Sequence, residues 1–275
     1  MGDVKVGFRR LIAKSRKQLK RMLSPALYTA YESRVLVDLE HVDIPRHVAV
    51  IIDGNRRWAR EMGFEVAHGH RKGGERLIDL VTWSEQIGVE VVTIWMLSND
   101  NLTNRPAAEL SPLMDVIVDV SRWLSEPQRN WRVRVMGLLD LLPDQIAADL
   151  RDSASLTDTK SGITVNIAVG YGGREEIVEA IRAVLREAQE SGQSLSAIAE
   201  QIDLVDIENH LYTKGQPDPD LIIRTSGEQR LGGFMLWQGA KSEYYFSDVY
   251  WPDFRRVDFL RAIREFAYRN RRYGA

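Results

Sequence analysis

The stretch HVAVIIDGNRRWAR, residues 47–60, determines how the rest of the chain is read. Residues 48–52 form an apolar, mostly β-branched run that is typical of a buried strand, and the polar residues 53–55 end it at once. Helix-compatible residues follow directly. The pattern therefore predicts a strand, a tight turn and a helix start, which is where open α/β sheets bind their ligands.

The turn at residues 53–55 has the composition of a phosphate site. A helix start offers free backbone N–H groups to an anion, and Arg56 and Arg57 add guanidinium groups that pair with phosphate oxygens. Asp53 repels a phosphate unless a cation lies between them, and Mg²⁺ is the hard divalent ion that fills this role most often. The alternative interpretation is that Asp53 only caps the helix.

Composition excludes several function classes. The 275 residues carry no cysteine, which excludes disulfides, thiolate metal sites and cysteine nucleophiles. The net charge of −2 gives no support for a nucleic-acid partner, and no apolar run approaches the length of a membrane span. No linker divides the chain, so we expect one domain, preceded by an extension at residues 1–44.

The first 22 residues differ from the rest in charge. They carry eight basic residues and one acid, with apolar residues at helical spacing. One interpretation is a basic amphipathic helix that contacts an anionic membrane surface. The other is a solvated extension that aids solubility, and the sequence leaves both open.

Strand and helix patterns alternate along the remaining chain. This alternation predicts a mostly parallel central sheet flanked by helices in a single α/β domain at residues 45–275. The predicted strands cover residues 48–52, 89–97, 132–136, 163–169, a short run that ends at position 224, and 241–246. Predicted helices include residues 74–87, 106–118, 143–156, 175–188 and 251–266, the last with Pro252 in its first turn.

Further polar residues are expected near the first turn. Ser98, Asp100 and Asn101 follow the second strand, so they can line the same crevice as Asp53. His70 lies near a helix start beside basic residues, although a single histidine is more often a structural hydrogen-bonding residue than a catalyst.

A second arginine pair lies late in the chain. Arg224 ends a strand and Arg230 follows after a Thr-Ser-Gly turn. Together with the arginines of the first stretch, they indicate two phosphate-bearing ligands bound close together. The alternative is that both simply pair with Glu228 and Glu243.

Six motifs in order carry a family resemblance. They are HVAVIIDGNRRWAR, GHRKGG, SNDNLTNRP, GYGGR, DPDLIIRTSGEQRLGGF and SEYYFSDVYWPDF, spread over residues 45–272. With these motifs in this order, the chain resembles the cis-prenyltransferases, a family that includes undecaprenyl diphosphate synthase. The resemblance implies a Mg²⁺-dependent enzyme that condenses isopentenyl diphosphate with an allylic diphosphate, geranyl or farnesyl diphosphate, and that forms a homodimer.

The same resemblance implies residue roles. Asp53 and Asn101 would be catalytic, and Asp53 would bind the metal with Glu243, the latter from across a dimer interface. Residues expected to bind substrate are Gly54, Asn55, Arg56, Arg57, Trp58, His70, Ser98, Asp100, Arg105, Arg224, Arg230 and Gly232.

Departures from the family pattern bear on the product. Met96 stands where long-chain members have a small residue, and Leu102 stands where they have Trp. These two chain-length positions predict a short product such as Z,E-farnesyl diphosphate, as in actinobacterial members. Val66 and Gly232 replace a common Arg and Ser, but backbone N–H groups at Gly232 can still bind phosphate.

Three alternatives stay open from sequence. The chain could be a long-chain undecaprenyl or decaprenyl diphosphate synthase, or a non-catalytic partner subunit, although such subunits typically lack the aspartate found here at position 53. It could also act chiefly as a membrane-surface binder through residues 1–22. We expect it in the cytoplasm, either free or peripheral at the membrane.

Overall fold

The computed structural model describes residues 25–39 and 42–273, with side chains described for residues 32–39 and 42–269. Two compact units are separated between Val42 and Asp43. The described part of the first unit contains helix α1 (Pro25–Leu39), inside the basic helical extension that we expect at residues 1–44. The basic segment at residues 1–22 lies outside the described residues. None of the described helices is long and apolar enough to cross a membrane.

The second unit is built on one sheet of six parallel strands, which confirms the predicted α/β class. In the order β3-β4-β2-β1-β5-β6, every neighbouring pair is parallel. The strands are β1 (His47–Ile51), β2 (Val91–Ser98), β3 (Arg132–Met136), β4 (Thr164–Tyr171), β5 (Leu221–Arg224) and β6 (Glu243–Phe246).

Helices connect the strands. They are α2 (Asn55–Met62), α3 (Val66–Gln86), α4 (Asn99–Asn104), α5 (Ala107–Leu124), α6 (Asp144–Ser155), α7 (Gly173–Glu190), α8 (Leu195–Gln201), α9 (Leu204–Glu208) and α10 (Arg256–Tyr273). One prediction was wrong: Pro252 lies in a separate 3-10 turn, Trp251–Asp253, and the closing helix begins only at Arg256. Helix α4, directly after β2, was not predicted.

Strand β1 occupies the centre of the sheet. All five of its residues are buried, as a strand covered on both faces requires, and this explains its unbroken apolar sequence. The chain runs from β1 to β2 on one side and later to β5 on the other side. The strand order therefore reverses around β1, and a crevice opens beyond the carboxyl ends of β1, β2 and β5.

Two glycines let α3 pack closely against the start of α2. A Cβ at Gly69 would collide with the backbone oxygen of Asn55, and a Cβ at Gly73 would collide with the Asn55 side-chain oxygen. Both glycines lie inside α3, which begins at Val66, so the helix extends further toward its N-terminus than its predicted range. The close packing brings the first turns of α3 to the crevice.

Candidate active site

A cleft of about 540 Å³ opens at the carboxyl edge of the sheet. Its walls come from the ends of β1, β2 and β5 and from α2, α3, α4 and α5. Most of the residues that the sequence singled out line it: Asp53, Gly54, Asn55, Arg56, Arg57, His70, Met96, Ser98, Asp100, Asn101, Arg105, Arg224, Arg230 and Gly232. The structure therefore has the crevice that was predicted between the turn at residues 53–55 and the later arginine pair.

Asp53 lies between two arginines. Its Oδ2 accepts a hydrogen bond from Nη2 of the buried Arg224 at 2.9 Å, and its Oδ1 lies 3.4 Å from Nη2 of Arg57. Burial alone would raise the pKa of this carboxyl, but the hydrogen bond and charge of Arg224 and the charge of Arg57 hold it below its usual value. Asp53 is therefore an anion in the cleft.

The alternative that Asp53 only caps the helix does not agree with the structure. Gly54 is the N-cap residue of α2, and no side chain caps the helix there. Gly54 has φ +107°, and a Cβ on it would lie 2.8 Å from Cδ1 of Tyr250. The backbone oxygen of Asp53 accepts hydrogen bonds from the Thr225 hydroxyl at 2.6 Å and from the Trp251 N–H at 3.1 Å, which fixes the turn.

One cationic cluster lies on the α2 side of the cleft. Nε of Arg56 and Nη1 of Arg105 lie 3.1 and 3.6 Å from Oε1 of Glu109, a residue of α5 that the sequence analysis missed. The sequence does contain a pattern that indicates this contact, because Glu109 stands four residues after Arg105, the spacing of a helical ion pair.

Several buried polar atoms in this cluster make no hydrogen bond within the described residues. They include Nε2 of His70, Nε of Arg105 and Oδ1 of Asn55. Burial, followed by the charges of Arg105 and Arg56, lowers the pKa of His70 to about 4, so its imidazole is neutral at pH 7. Of these atoms, Nε of Arg105 donates, Nε2 of His70 donates in one tautomer, and Oδ1 of Asn55 only accepts. Buried donors without a hydrogen bond beside guanidinium groups are the chemistry of an anion site that a ligand completes.

A second cationic cluster lies on the β5 side. Nη1 of Arg230 lies 2.6 Å from Oε2 of Glu228, whose Oε1 lies 3.2 Å from Nη1 of Arg57. Arg224 pairs with Asp53 and not with Glu228, so the pairing alternative raised from sequence holds for Arg230 alone. Glu228 therefore links Arg57 of α2 to Arg230.

Two adjacent glycines follow this second cluster. Gly232 and Gly233 have φ of +63° and +91°, a conformation in which glycine carries no Cβ penalty. Gly232 lines the cleft. The glycine found where a serine is common in the family thus fits the backbone that this turn adopts.

The end of β2 supplies the third wall. Ser98 is the N-cap of α4, where its Oγ accepts the N–H of Asn101 at 3.1 Å. Met96 lines the cleft beside apolar side chains from β1, β2 and α5, namely Ile51, Leu97, Leu113 and Val116. The cleft is therefore cationic at its turn and apolar along β2 and α5.

Three predicted residues do not line the cleft. Trp58 is buried, with its ring 5.8 Å from Phe64 and 6.1 Å from His68 between centroids. Leu102 is half-buried on α4. Glu243 begins β6 opposite Leu221, at the far end of the strand pair from Arg224, and its carboxylate accepts a hydrogen bond from Arg269 at 3.0 Å.

The residues present suit a metal that is shared with a ligand. In the part of the chain that the structure describes, no three His, Asp or Glu side chains are grouped to hold an ion. Mg²⁺ is commonly bound through one or two carboxylates plus substrate phosphates, and the Asp53 side chain is 30% exposed at the cleft. Asp53 thus fits as a single protein ligand whose remaining partners are ligand oxygens.

Comparison with known proteins gives a consistent result. A family model described as "Putative undecaprenyl diphosphate synthase" matches residues 51–274. Isoprenyl transferase 1 of Corynebacterium efficiens is 53% identical over 249 residues, which are 90% of this chain and 97% of the relative. The (2Z,6E)-farnesyl diphosphate synthase of Thermobifida fusca is 51% identical over 254 residues, 92% of this chain and 99% of the relative.

A solved structure extends the likeness to three dimensions. Lavandulyl diphosphate synthase from Lavandula x intermedia, crystallised with dimethylallyl diphosphate, superposes with a TM-score of 0.75 at 34% sequence identity. The match covers 82% of this chain and 95% of that one.

Proposed function

Because the chain belongs to the undecaprenyl diphosphate synthase family, the cis-prenyltransferases, we propose that it is a Mg²⁺-dependent short-chain member of that family. It condenses isopentenyl diphosphate with geranyl or farnesyl diphosphate and forms a Z-configured product such as (2Z,6E)-farnesyl diphosphate. The observation that best supports this proposal is the pair of cationic clusters that flank Asp53 beside the apolar part of the cleft. The names of the Thermobifida and Mycobacterium relatives support the short product.

The allylic diphosphate binds at the start of α2 in this proposal. Arg56 and Arg105 bring guanidinium groups to that position, and Nε of Arg105 and Nε2 of neutral His70 make no hydrogen bond within the described residues. As the carbon–oxygen bond breaks, its electron pair stays on the diphosphate, and fixed donors stabilise this growing charge. Mg²⁺ bound by Asp53 would add positive charge to the same leaving group.

Isopentenyl diphosphate binds on the β5 side. Arg224 and Arg230 provide guanidinium groups there, and the backbone at Gly232 provides an N–H. Its double bond attacks the allylic carbon, and loss of a proton forms the new cis alkene. An amide cannot hold that proton, so we assign it to a phosphate oxygen, with Asn101 and Ser98 orienting the reacting carbons.

Product length follows from the apolar end of the cleft. The Met96 side chain occupies the wall along which a growing prenyl chain would extend. An unbranched thioether fills irregular gaps, so it shortens the space without closing the cleft to the first condensation.

The test is a product-length assay. The protein is incubated with Mg²⁺, labelled isopentenyl diphosphate, and geranyl or farnesyl diphosphate offered separately, beside an Asp53→Asn sample. The proposal expects about three or four isoprene units from geranyl diphosphate and no product from the variant. Products of ten units or more would instead indicate a long-chain synthase, and no Mg²⁺-dependent product would indicate a non-catalytic subunit.

Assembly and location are parts of the same proposal. A homodimer supplies Glu243 to the metal from the neighbouring subunit, because within one chain this residue lies at the other end of β6 and bonds to Arg269. The enzyme acts in the cytoplasm, with residues 1–22 contacting the membrane surface. Deleting residues 1–22 should leave turnover of soluble short substrates intact and abolish binding to anionic vesicles.

A further inference from the structure

Ser226 has an unfavourable backbone conformation beside the cleft. Its φ is +79°, and only one other non-glycine residue in the described chain, Met235, also has a positive φ. A left-handed conformation costs a residue with a Cβ roughly 1–2 kcal/mol, and glycine avoids that cost. Ser226 is buried, immediately after the Arg224-Thr225 end of β5.

Backbone hydrogen bonds to the segment after β6 hold this conformation. The Ser226 N–H donates to the backbone oxygen of Val249 at 2.8 Å, and the Gly227 N–H donates to that of Ser247 at 2.8 Å. Neither bond involves a side chain, so glycine at position 226 would form the same turn with less strain. The serine side chain must therefore contribute something that offsets its conformational cost.

The hydroxyl contacts an arginine of the site. Oγ of Ser226 accepts a hydrogen bond from Nη2 of Arg57 at 2.7 Å, the shortest contact of that guanidinium with an acceptor in the described residues. The same Nη2 lies 3.4 Å from Oδ1 of Asp53, and the Ser226 hydroxyl contributes to the lowered pKa of that carboxyl. The hydroxyl and the carboxylate therefore share one guanidinium nitrogen beside the turn.

The Cβ of Ser226 fills the space above the turn. A Cβ placed on Gly54 would lie 3.1 Å from it, so the side chain of residue 226 occupies the room that Gly54 leaves open. Position 226 thus packs against the helix start, and its hydroxyl bonds to Arg57 in the first turn of that helix.

We propose that Ser226 is a positioning residue that holds Arg57 and Asp53 in a fixed relation, so that a diphosphate and its metal meet preset charges. The inference rests on the proposed function, since it concerns the diphosphate subsite of that reaction. Charges that are fixed before binding need no reorganisation when the ligand arrives. The hydrogen bond to Arg57 offsets the conformational cost of the strained turn.

Two variants separate the hydroxyl from the strain. Ser226→Gly removes both, and Ser226→Ala removes the hydroxyl alone. We expect each variant to bind inorganic diphosphate with Mg²⁺ about tenfold more weakly by calorimetry, the loss of one charge-assisted hydrogen bond. The melting temperature of Ser226→Gly should equal or exceed that of the wild type, whereas the melting temperature of Ser226→Ala should not exceed it.

Gly227→Ala is the matched control. It adds strain at the adjacent residue, where φ is +77°, without touching the hydroxyl. Its melting temperature should fall while its diphosphate affinity stays at the wild-type value. Wild-type affinity in Ser226→Gly would overturn the proposal, as would weak binding accompanied by a lowered melting temperature in that variant. Because calorimetry uses inorganic diphosphate, a failure of the proposed reaction would be seen separately, as wild-type protein that binds but forms no prenyl product.

Discussion

The two ends of the sheet differ in whether their buried polar groups are hydrogen-bonded within the described residues. At the amino end, His47 of β1 is fully buried, and its Nδ1 donates to the backbone oxygen of Pro217 at 2.8 Å. Its Nε2 accepts from the Thr93 hydroxyl at 2.7 Å, and Thr93 in turn accepts from Asn166 at 2.9 Å. Every ring nitrogen of this histidine is bonded.

At the carboxyl end, the equivalent groups are left unpaired. Nε2 of His70 and Nε of Arg105 are buried and make no hydrogen bond among the described residues. Burial lowers the pKa of both histidines to about 4, so their titration does not distinguish them. Their hydrogen bonding does distinguish them. Both ring nitrogens of His47 are bonded, so this histidine stabilises the fold, whereas Nε2 of His70 is available to a ligand.

Two aspartates test this contrast with the largest expected effect. Asp53→Asn should lower turnover by about 10²–10³-fold, because it removes a charge from the reaction site. At the other end, Asp220 accepts the N–H groups of Arg46 and His47 at 2.7 and 3.0 Å. Asp220→Ala should cost about 1–3 kcal/mol of stability and leave turnover unchanged. Steady-state kinetics and urea unfolding on both variants give the comparison, which fails if the folded Asp220 variant is as inactive as the Asp53 one.

The two histidines sharpen the contrast. His47→Ala removes a bonded buried ring, and we expect a loss of about 2–4 kcal/mol in the free energy of unfolding with normal turnover of the folded fraction. His70→Ala should change stability by less than about 1 kcal/mol and weaken diphosphate binding about tenfold, because its Nε2 has no bond to lose among the described residues. Denaturation and calorimetry would contradict this account if the effects were exchanged.

Acid should destabilise the protein through the buried histidines. The pKa of His47 is about 4 in the folded chain and near 6.5 when unfolded, so the unfolded state binds more protons between these values. Stability is therefore full above pH 6.5 and falls as the pH drops toward 4. Between pH 7 and 5 the His47 contribution is roughly 2 kcal/mol.

Urea unfolding at several pH values measures this slope. His47→Gln should reduce the slope, because it removes one of the two imidazoles that are buried in the described part of the chain. An unchanged slope in that variant would mean that His47 does not control the acid response.

Met96 carries the smallest expected effect, a shift in product without loss of stability. Met96→Ala should lengthen the main product by one or two isoprene units, since its side chain lines the apolar part of the cleft. Leu102→Ala is the control, because Leu102 does not line the cleft although the sequence marked both positions. Chromatography of dephosphorylated products would reject the assignment if only the Leu102 variant changed its product.

Local patterns predicted most of the fold. The apolar run of β1, the turn after it and the alternation of strands and helices follow from periodicity, so the parallel sheet was predictable. The prediction at Pro252 was wrong because proline suits both the first turn of a helix and a separate 3-10 turn. Two residues separate that turn from the start of α10. The short helix α4 was missed, since its polar sequence resembles a loop.

The site was less predictable wherever a partner lies far along the chain. The ion pair of Asp53 with Arg224 and the bond of Arg57 to Ser226 each span about 170 positions, which no local pattern contains. The strain at Ser226 depends on the segment that follows β6, and the network of His47 depends on three other segments. The arginines themselves were found because guanidinium groups at strand ends indicate phosphate on their own.

The central claim, that unpaired polar groups at the carboxyl edge form the diphosphate site, can be tested by following the imidazole nitrogens of the histidines by NMR. The protein is titrated with Mg²⁺ and an unreactive thiolo analogue of geranyl diphosphate. We expect the His70 nitrogen signals to shift in step with binding and those of His47 to stay unchanged. Saturable binding that leaves His70 unmoved, or that moves His47 instead, would contradict the account.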